Sequence, residues 1–137
     1  MKVIVAGGGL AGSEAALYLA NHDIKVELYE MRPKKTTGAH TSEDFAEFVC
    51  SNSLGSVGTG SASGLLKEEA LLLGSTLMQE AFKNRVPSGN SLSIDRKGFS
   101  SKITQLINNH PNITVIREEI TSLPDMPTII ATGPLTS

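Results

Sequence analysis

Cysteine is almost absent. Cys50 stands alone, so no internal disulfide framework is available, and a reducing cytoplasm is the compartment this implies. A basic excess is missing as well. Twelve Lys and Arg against fourteen Asp and Glu leave a net charge of −2 and a pI near 5.9, unlike the footprint of a free-standing nucleic-acid binder. No apolar run approaches the ~18 to 20 residues that a membrane span needs, so no membrane partner is expected. The apolar start is no signal peptide, because Val3 to Ala6 runs straight into glycines without a small-residue cleavage site. One cysteine and three scattered histidines leave no metal-ligand spacing, and no internal repeat is visible. A hydrophobic content of 39% and a mean hydropathy of −0.03 suit a globular protein, and 137 residues suffice for one domain of ordinary size but not two.

Glycine, by contrast, is concentrated where it has a use. Lys2-Val3-Ile4-Val5-Ala6 reads as a buried parallel strand and feeds into Gly7-Gly8-Gly9-Leu10-Ala11-Gly12, which holds G-x-G-x-x-G. Ser13 to His22 has helical periodicity in Ala15, Ala16, Leu19 and Ala20. Lys25 to Tyr29 then alternates as a strand and delivers Glu30. Gly7 allows a tight turn, Gly9 lets backbone approach a pyrophosphate, and Gly12 lets the helix pack closely. The helix N-terminus offers free N–H groups to phosphate, and Glu30 can accept from a ribose 2′-hydroxyl. A lone glycine motif would mean only a β-to-α turn. With strand, helix, second strand and acid in order, the stretch implies dinucleotide binding.

Further along, Met31 to Ser42 reads as a polar loop, and Ser42-Glu43-Asp44 as the start of a short helix through Phe45, Phe48 and Val49. Gly55 to Gly64 interleaves glycine and serine and is expected to be mobile. A helix is predicted over Leu65 to about Phe82, with Leu66, Ala70, Leu73, Leu77 and Ala81 on one face. A strand over 91–94, a helix capped by Asp95, a β-rich run from Ile113 to Ile120 and a last strand over 128–132 follow. Strands alternating with helices imply an α/β fold, a Rossmann-like doubly wound parallel sheet. The expected layout is a β-α-β unit over 1–30, a loop and helical insert over 31–90, and a return to the sheet over 91–137. The chain stops just after a strand that would lie inside such a sheet, so it is expected to be the truncated N-terminal part of a larger protein. Arg32, Lys34 and Lys35 form the local basic cluster, readable as a solvated loop or as a clamp on the phosphates of a cofactor or of RNA.

Val26 to Arg32 and Ile129-Ile130-Ala131-Thr132-Gly133 are similar to the ribose-binding and ATG segments of FAD-dependent flavoproteins with two dinucleotide folds. Four segments are more specific: 7–16, Tyr29-Glu30-Met31-Arg32-Pro33, Cys50-Ser51-Asn52-Ser53-Leu54 and Gly64-Leu65-Leu66-Lys67-Glu68-Glu69. In this order they resemble the bacterial folate- and FAD-dependent tRNA (uracil-5-)-methyltransferase family. Arg85-Val86-Pro87, Asp95-Arg96, 116–119 and 131–137 continue the likeness over essentially the whole chain. The resemblance implies that this chain is the N-terminal part of an FAD-binding domain in an enzyme making 5-methyluridine in the T-loop of tRNA. Carbon would come from 5,10-methylenetetrahydrofolate, and electrons from FAD reduced by NADH or NADPH. It also implies FAD contacts at Gly7, Gly8, Gly9, Leu10, Ala11, Gly12, Glu30, Arg32, Thr132 and Gly133.

Such chemistry needs a thiolate at uracil C6 before C5 becomes nucleophilic, and reduction of the C5 methylene afterwards. Cys50 is the catalytic candidate. Its bland reading is a small buried apolar residue after Phe48 and Val49, and its functional reading is a reactive group in a loop near the flavin. Whether it or a later cysteine of the family attacks uracil stays open, as does a flavin contact or an acid role. Gly55 stands where the family usually has a basic residue, which keeps a ribosomal-RNA uracil methyltransferase in view. An isolated FAD- or ADP-binding module without methyl transfer is the other alternative. The related flavoprotein that installs carboxymethylaminomethyl groups on wobble uridines shares the glycine-rich start, but 30–33 and 50–53 argue against it.

Overall fold

The computed structural model describes residues 1–136; Ser137, the end of the last resembling segment, lies outside the described residues. Strand β1 (Lys2–Ala6) leads through the glycine turn into helix α1 (Leu10–Asn21) and strand β2 (Lys25–Tyr29). These two strands pair in parallel, with Val3 opposite Val26 and Val5 opposite Leu28. Strand β6 (Ile113–Ile116) adds to the free side of β2, and β7 (Thr128–Ile130) to the free side of β1. The parallel sheet therefore has the order β6-β2-β1-β7. Val5, Val26 and Leu28 are fully or almost fully buried against Ala16, Leu17 and Ala20 of α1.

A second unit carries strands β3 (Ser53–Ser56), β4 (Arg85–Val86) and β5 (Ser91–Ile94) in a small antiparallel sheet of order β3-β5-β4. Helices α2 (Ala62–Leu72) and α3 (Thr76–Lys83) pack on it, while α4 (Arg96–Asn109) packs against α1, α3 and β6. The core is continuous across both sheets through Phe45, Phe48, Leu92, Ile94, Phe99, Ile103 and Ile107. Phe48 and Phe99 meet edge to face at 5.4 Å. The strand over 91–94 thus forms in the second sheet, and the chain rejoins the parallel sheet only at Ile113.

Three local expectations change, each for a physical reason. No helix forms over 42–49: Ala46 takes a left-handed conformation (φ 54°) and donates its N–H to the Gly8 carbonyl, so the chain turns back onto the glycine loop. The single helix over 65–82 is two helices, because Gly74 at φ 85° ends the first and Ser75 caps the second through Met78 N–H. Its expected apolar face is split accordingly, and Leu66 and Leu73 are 67% and 71% exposed. The glycine- and serine-rich stretch over 55–64 contributes the second half of β3 and the first turn of α2, capped by Ser61; at Gly64 the Gly58 carbonyl occupies the place of a side chain.

Glu14 of α1 fastens the two units. Its carboxylate accepts from Ser75 Oγ, Thr76 N–H and Leu77 N–H at the start of α3. Glu14→Ala should lower the stability of the protein by about 1–3 kcal/mol, the cost of uncapping a helix and orphaning its donors. A urea midpoint equal to the wild type would contradict this placement.

Candidate functional site

The carboxyl ends of β1, β2 and β7 open into a cleft of about 330 Å³, within the ~300 to 1,000 Å³ range of small-molecule sites. Gly7, Gly8, Gly9, Leu10, Ala11, Glu30, Arg32, Thr132 and Gly133 all line it. Gly12 does not; it lies behind, where a side chain would strike the Gly7 carbonyl. Gly7 sits at φ 106° and its N–H bonds the Tyr29 carbonyl, while the Ala131 carbonyl fills the space a side chain would need. Open space surrounds the missing side chain of Gly9. The N-termini of α2, α3 and α4 are capped by Ser61, Ser75 and Asp95, whereas α1 begins at Gly9 with no side-chain cap. Its first N–H groups and positive dipole end are therefore left for a ligand.

Glu30 follows β2 and is 6% exposed. Its Oε2 accepts from Gly8 N–H at 2.9 Å, and Oε1 accepts from both Arg32 N–H and Arg32 Nε at 3.0 Å. A carboxylate has about four acceptor positions, so one remains on Oε2 for a hydroxyl. Arg32, 2% exposed, donates through Nη1 to Glu47 Oε2 at 2.9 Å and to the Ser42 carbonyl at 3.0 Å. Glu47 in turn accepts from Thr41 and Ser42. Arg32 is thus neither a solvated loop residue nor an open phosphate clamp; it is a buried fork that orients Glu30. Lys34 and Lys35 meet Glu118 and Glu119, which also line the cleft.

Phe45 packs against Gly8, and the Arg117 guanidinium lies 4.3 Å above its ring. Arg117 Nη1 also donates to the Arg32 and Glu43 carbonyls. His40 lines the cleft too, with Nδ1 2.6 Å from Thr37 Oγ1. Burial and the Arg32 charge lower its pKa, against weaker opposing pulls from Glu47 and Glu30. His40 and Glu47 carry no periodic or motif signal in the sequence; Phe45 is visible there only as part of the expected short helix, and Arg117 only within the resembling segment 116–119. Cys50 is exposed in a bend, contrary to the buried reading, and lies next to Val49 at the cleft wall without lining it. Among the described residues no cluster of His, Cys, Asp and Glu could hold a metal ion, and no helix is long and apolar enough to cross a membrane.

Burial raises the Glu30 pKa, but hydrogen bonds and charge from Arg32, with the Gly8 N–H, outweigh it and hold the carboxyl below its ordinary value. For Glu47 burial is likewise outweighed by Thr41 and Ser42. A depressed folded-state pKa gives stability that is complete above the unfolded value near 4.5 and is lost as pH falls through the lower folded value. A Glu30→Gln, Glu47→Gln double variant should therefore show a flatter decline in stability between about pH 5 and 3 than the wild type. Parallel acid-unfolding curves would contradict it.

Similarity to known proteins agrees with this geometry. The model of the glucose inhibited division protein A family matches residues 2–137. A methylenetetrahydrofolate–tRNA-(uracil-5-)-methyltransferase TrmFO from Anoxybacillus flavithermus is 57% identical over 100% of this chain, and proteins of the same name from Fusobacterium nucleatum and Persephonella marina are 57% and 58% identical over 99%. In each case the chain spans 32% of the relative's length. The solved structure of Aquifex aeolicus GidA superposes with a TM-score of 0.65, covering 85% of this chain and 19% of that one at 19% identity, which shows a shared fold. A cleft built from a glycine turn, a naked helix N-terminus and a buried acid, on a chain matched from residue 2 to its end, belongs to the glucose inhibited division protein A family.

Proposed function

We propose that this chain is the FAD-binding, N-terminal part of a cytoplasmic enzyme that methylates uridine C5 in the T-loop of tRNA. The observation that carries the reading is the buried Glu30 carboxylate, which lines the cleft and is fixed by Gly8 and Arg32. The residues present fit the ADP portion of FAD. Leu10 and Ala11 N–H groups at the start of α1 would hold the pyrophosphate, Glu30 the adenosine ribose, and Thr132 and Gly133 the opposite wall. The names of the relatives supply the reaction class: methylenetetrahydrofolate as carbon donor, tRNA as substrate, uracil C5 as acceptor.

Bound FAD, recharged by NADH or NADPH, would supply the reducing equivalents that convert the C5 methylene to methyl. This chain's residues bind and orient it: the glycine turn excludes side chains from the pyrophosphate path, and Arg32 keeps Glu30 ionised and aimed. Cys50, exposed next to Val49 of the cleft wall, would meet substrate from solvent as a thiol nucleophile or proton donor. The rest of the longer protein would complete the RNA surface, since the exposed Lys34 and Lys35 near the cleft both meet acids.

The complete protein, given an unmodified tRNA transcript, methylenetetrahydrofolate, FAD and a nicotinamide reductant, should form 5-methyluridine in the T-loop. Methylation confined to ribosomal RNA, or FAD retention with no methylation of either RNA, would replace this reading. Glu30→Ala in that protein should weaken FAD binding about tenfold or more, the value of one charge-assisted hydrogen bond; an unchanged dissociation constant would contradict the ribose assignment. Cys50→Ala should leave the melting temperature nearly unchanged and slow methylation about a hundredfold or more. Wild-type turnover, or a loss that merely tracks unfolding, would remove Cys50 from the chemistry.

A further inference from the structure

The charges of the chain are unevenly shared. Between Glu80 and Arg117 stand five basic residues, Lys83, Arg85, Arg96, Lys97 and Lys102, with Asp95 as the single acid. The other seven Lys and Arg share the chain with thirteen acids. The slightly negative total therefore hides a basic region inside an acidic protein. The fold gathers that region. β4 pairs antiparallel with β5, Arg85 opposite Ile94, and the Asp95 N–H donates to the Asn84 carbonyl at 2.9 Å. Lys83 and Arg85 thus abut the first turn of α4, which carries Arg96 and Lys97; Lys102 follows about 7.5 Å further along the helix. Since α4 packs on β6 and enters it through a three-residue link, it runs roughly antiparallel to the sheet. Its first turn therefore lies at the end of the sheet where the cleft opens.

All five basic residues are exposed. Lys83 meets Glu80, and Arg85 donates to the uncharged carbonyls of Gly89 and Ser91. Among the described residues Arg85, Arg96, Lys97 and Lys102 form no ion pair. Asp95 accepts from the Gly98 N–H at the head of α4. Ser101, Gln105, Asn108 and Asn109 complete the exposed side of that helix, with no acid among them. Exposed large apolar residues lie elsewhere: Leu65, Leu66, Leu72 and Leu73 on α2, Ile129 and Ile130 on β7. Among the described residues none falls between Gly74 and Ser122. Apolar surface of that kind is what further chain covers, whereas Lys and Ser are depleted from packed interfaces. The basic face has the make-up of a surface that stays in water. A protein partner would need apolar and aromatic anchors, which this face lacks. A phosphate backbone is held by Lys, Arg, Ser, Asn and Gln side chains alone.

We propose that the face formed by the α3–β4 junction and the outer side of α4 is a docking surface for the phosphate backbone of the RNA substrate. The inference rests on the tRNA reading above and assigns a part of this chain to holding that RNA outside the cleft.

The test is binding of an unmodified tRNA transcript to the complete protein, read by fluorescence anisotropy across a salt series with no methylation step. The triple variant Arg85→Gln, Lys97→Gln, Lys102→Gln should bind at least about tenfold more weakly at near-physiological salt. Its slope of log affinity against log salt should be shallower by about two to three. Bound FAD and melting temperature should match the wild type, and Lys97→Arg with Lys102→Arg should bind normally. Lys2→Gln with Lys34→Gln removes two exposed lysines already paired with Glu27 and Glu118, and should leave affinity and slope near wild type. Wild-type affinity and slope in the folded triple variant, as an acidic protein partner would leave them, would overturn the proposal. So would an equal loss in the Lys2, Lys34 control, or no RNA binding by the wild type. The two readings fail separately. A protein that makes 5-methyluridine while its triple variant binds normally loses only this face; one that binds through this face without forming 5-methyluridine loses only the methylation reading. Should the triple variant fail to fold, Lys97→Gln with Lys102→Gln on the open helix side decides, its slope falling by about one to two.

Discussion

A buried carboxylate left without donors would cost more than almost any contact around it could return. Glu30 avoids that cost by collecting one donor from the glycine turn and two from Arg32. Those donors come from separate parts of the chain, so satisfying the charge draws them together. Gly8 is held at the end of β2, Arg32 is turned inward, and its remaining guanidinium face needs Glu47 as a second acid. With Glu47 reaching back to Arg32, the segment over 42–49 turns toward the mouth of the parallel sheet and does not form the expected short helix. The geometry of the cleft follows from neutralising one charge.

Steric exclusion completes the arrangement. A side chain at Gly7 would strike the Ala131 carbonyl and one at Gly12 would strike the Gly7 carbonyl, so β1, α1 and the end of β7 approach to distances only glycine permits. The same closeness leaves α1 without a capping side chain, while α2, α3 and α4 each receive one. The fold thus spends its caps where helices need stability and withholds one where phosphate would bind. Glu14, two residues beyond Gly12, carries the consequence into the second unit by bonding the first N–H groups of α3, so the glycine turn and the second unit are tied through one helix.

The legible parts of this chain were those with local periodicity. β1, α1 and β2 were readable because alternation, helical spacing and the glycine pattern all lie within thirty residues, and α4 because Asp95 and the Phe99-Ile103-Ile107 stripe mark it. The loop over 31–52 was not, since its conformation is set by contacts to residues far away in sequence: Ala46 to Gly8, Phe45 to Thr104 and Arg117 to Phe45. Periodicity also ran through Gly74 without registering that a left-handed residue would divide the helix there. Arg32 is visible in the sequence as a charge, but its burial and its two acidic partners depend on a loop whose shape is set by long-range contacts. Cys50 was placed beside the site by motif alone, and its exposure next to the cleft wall keeps it accessible.

In the proposed function, the Glu30 network and the uncapped end of α1 form a preorganised seat for the ADP half of a dinucleotide. A crystal structure of the complete protein with FAD tests it most directly. The account predicts a ribose hydroxyl within about 3.2 Å of a Glu30 carboxylate oxygen and pyrophosphate oxygens on the Leu10 and Ala11 N–H groups, with the Glu30–Arg32–Glu47 chain unchanged. A ribose out of reach of Glu30, or a cofactor bound away from the start of α1, would contradict it.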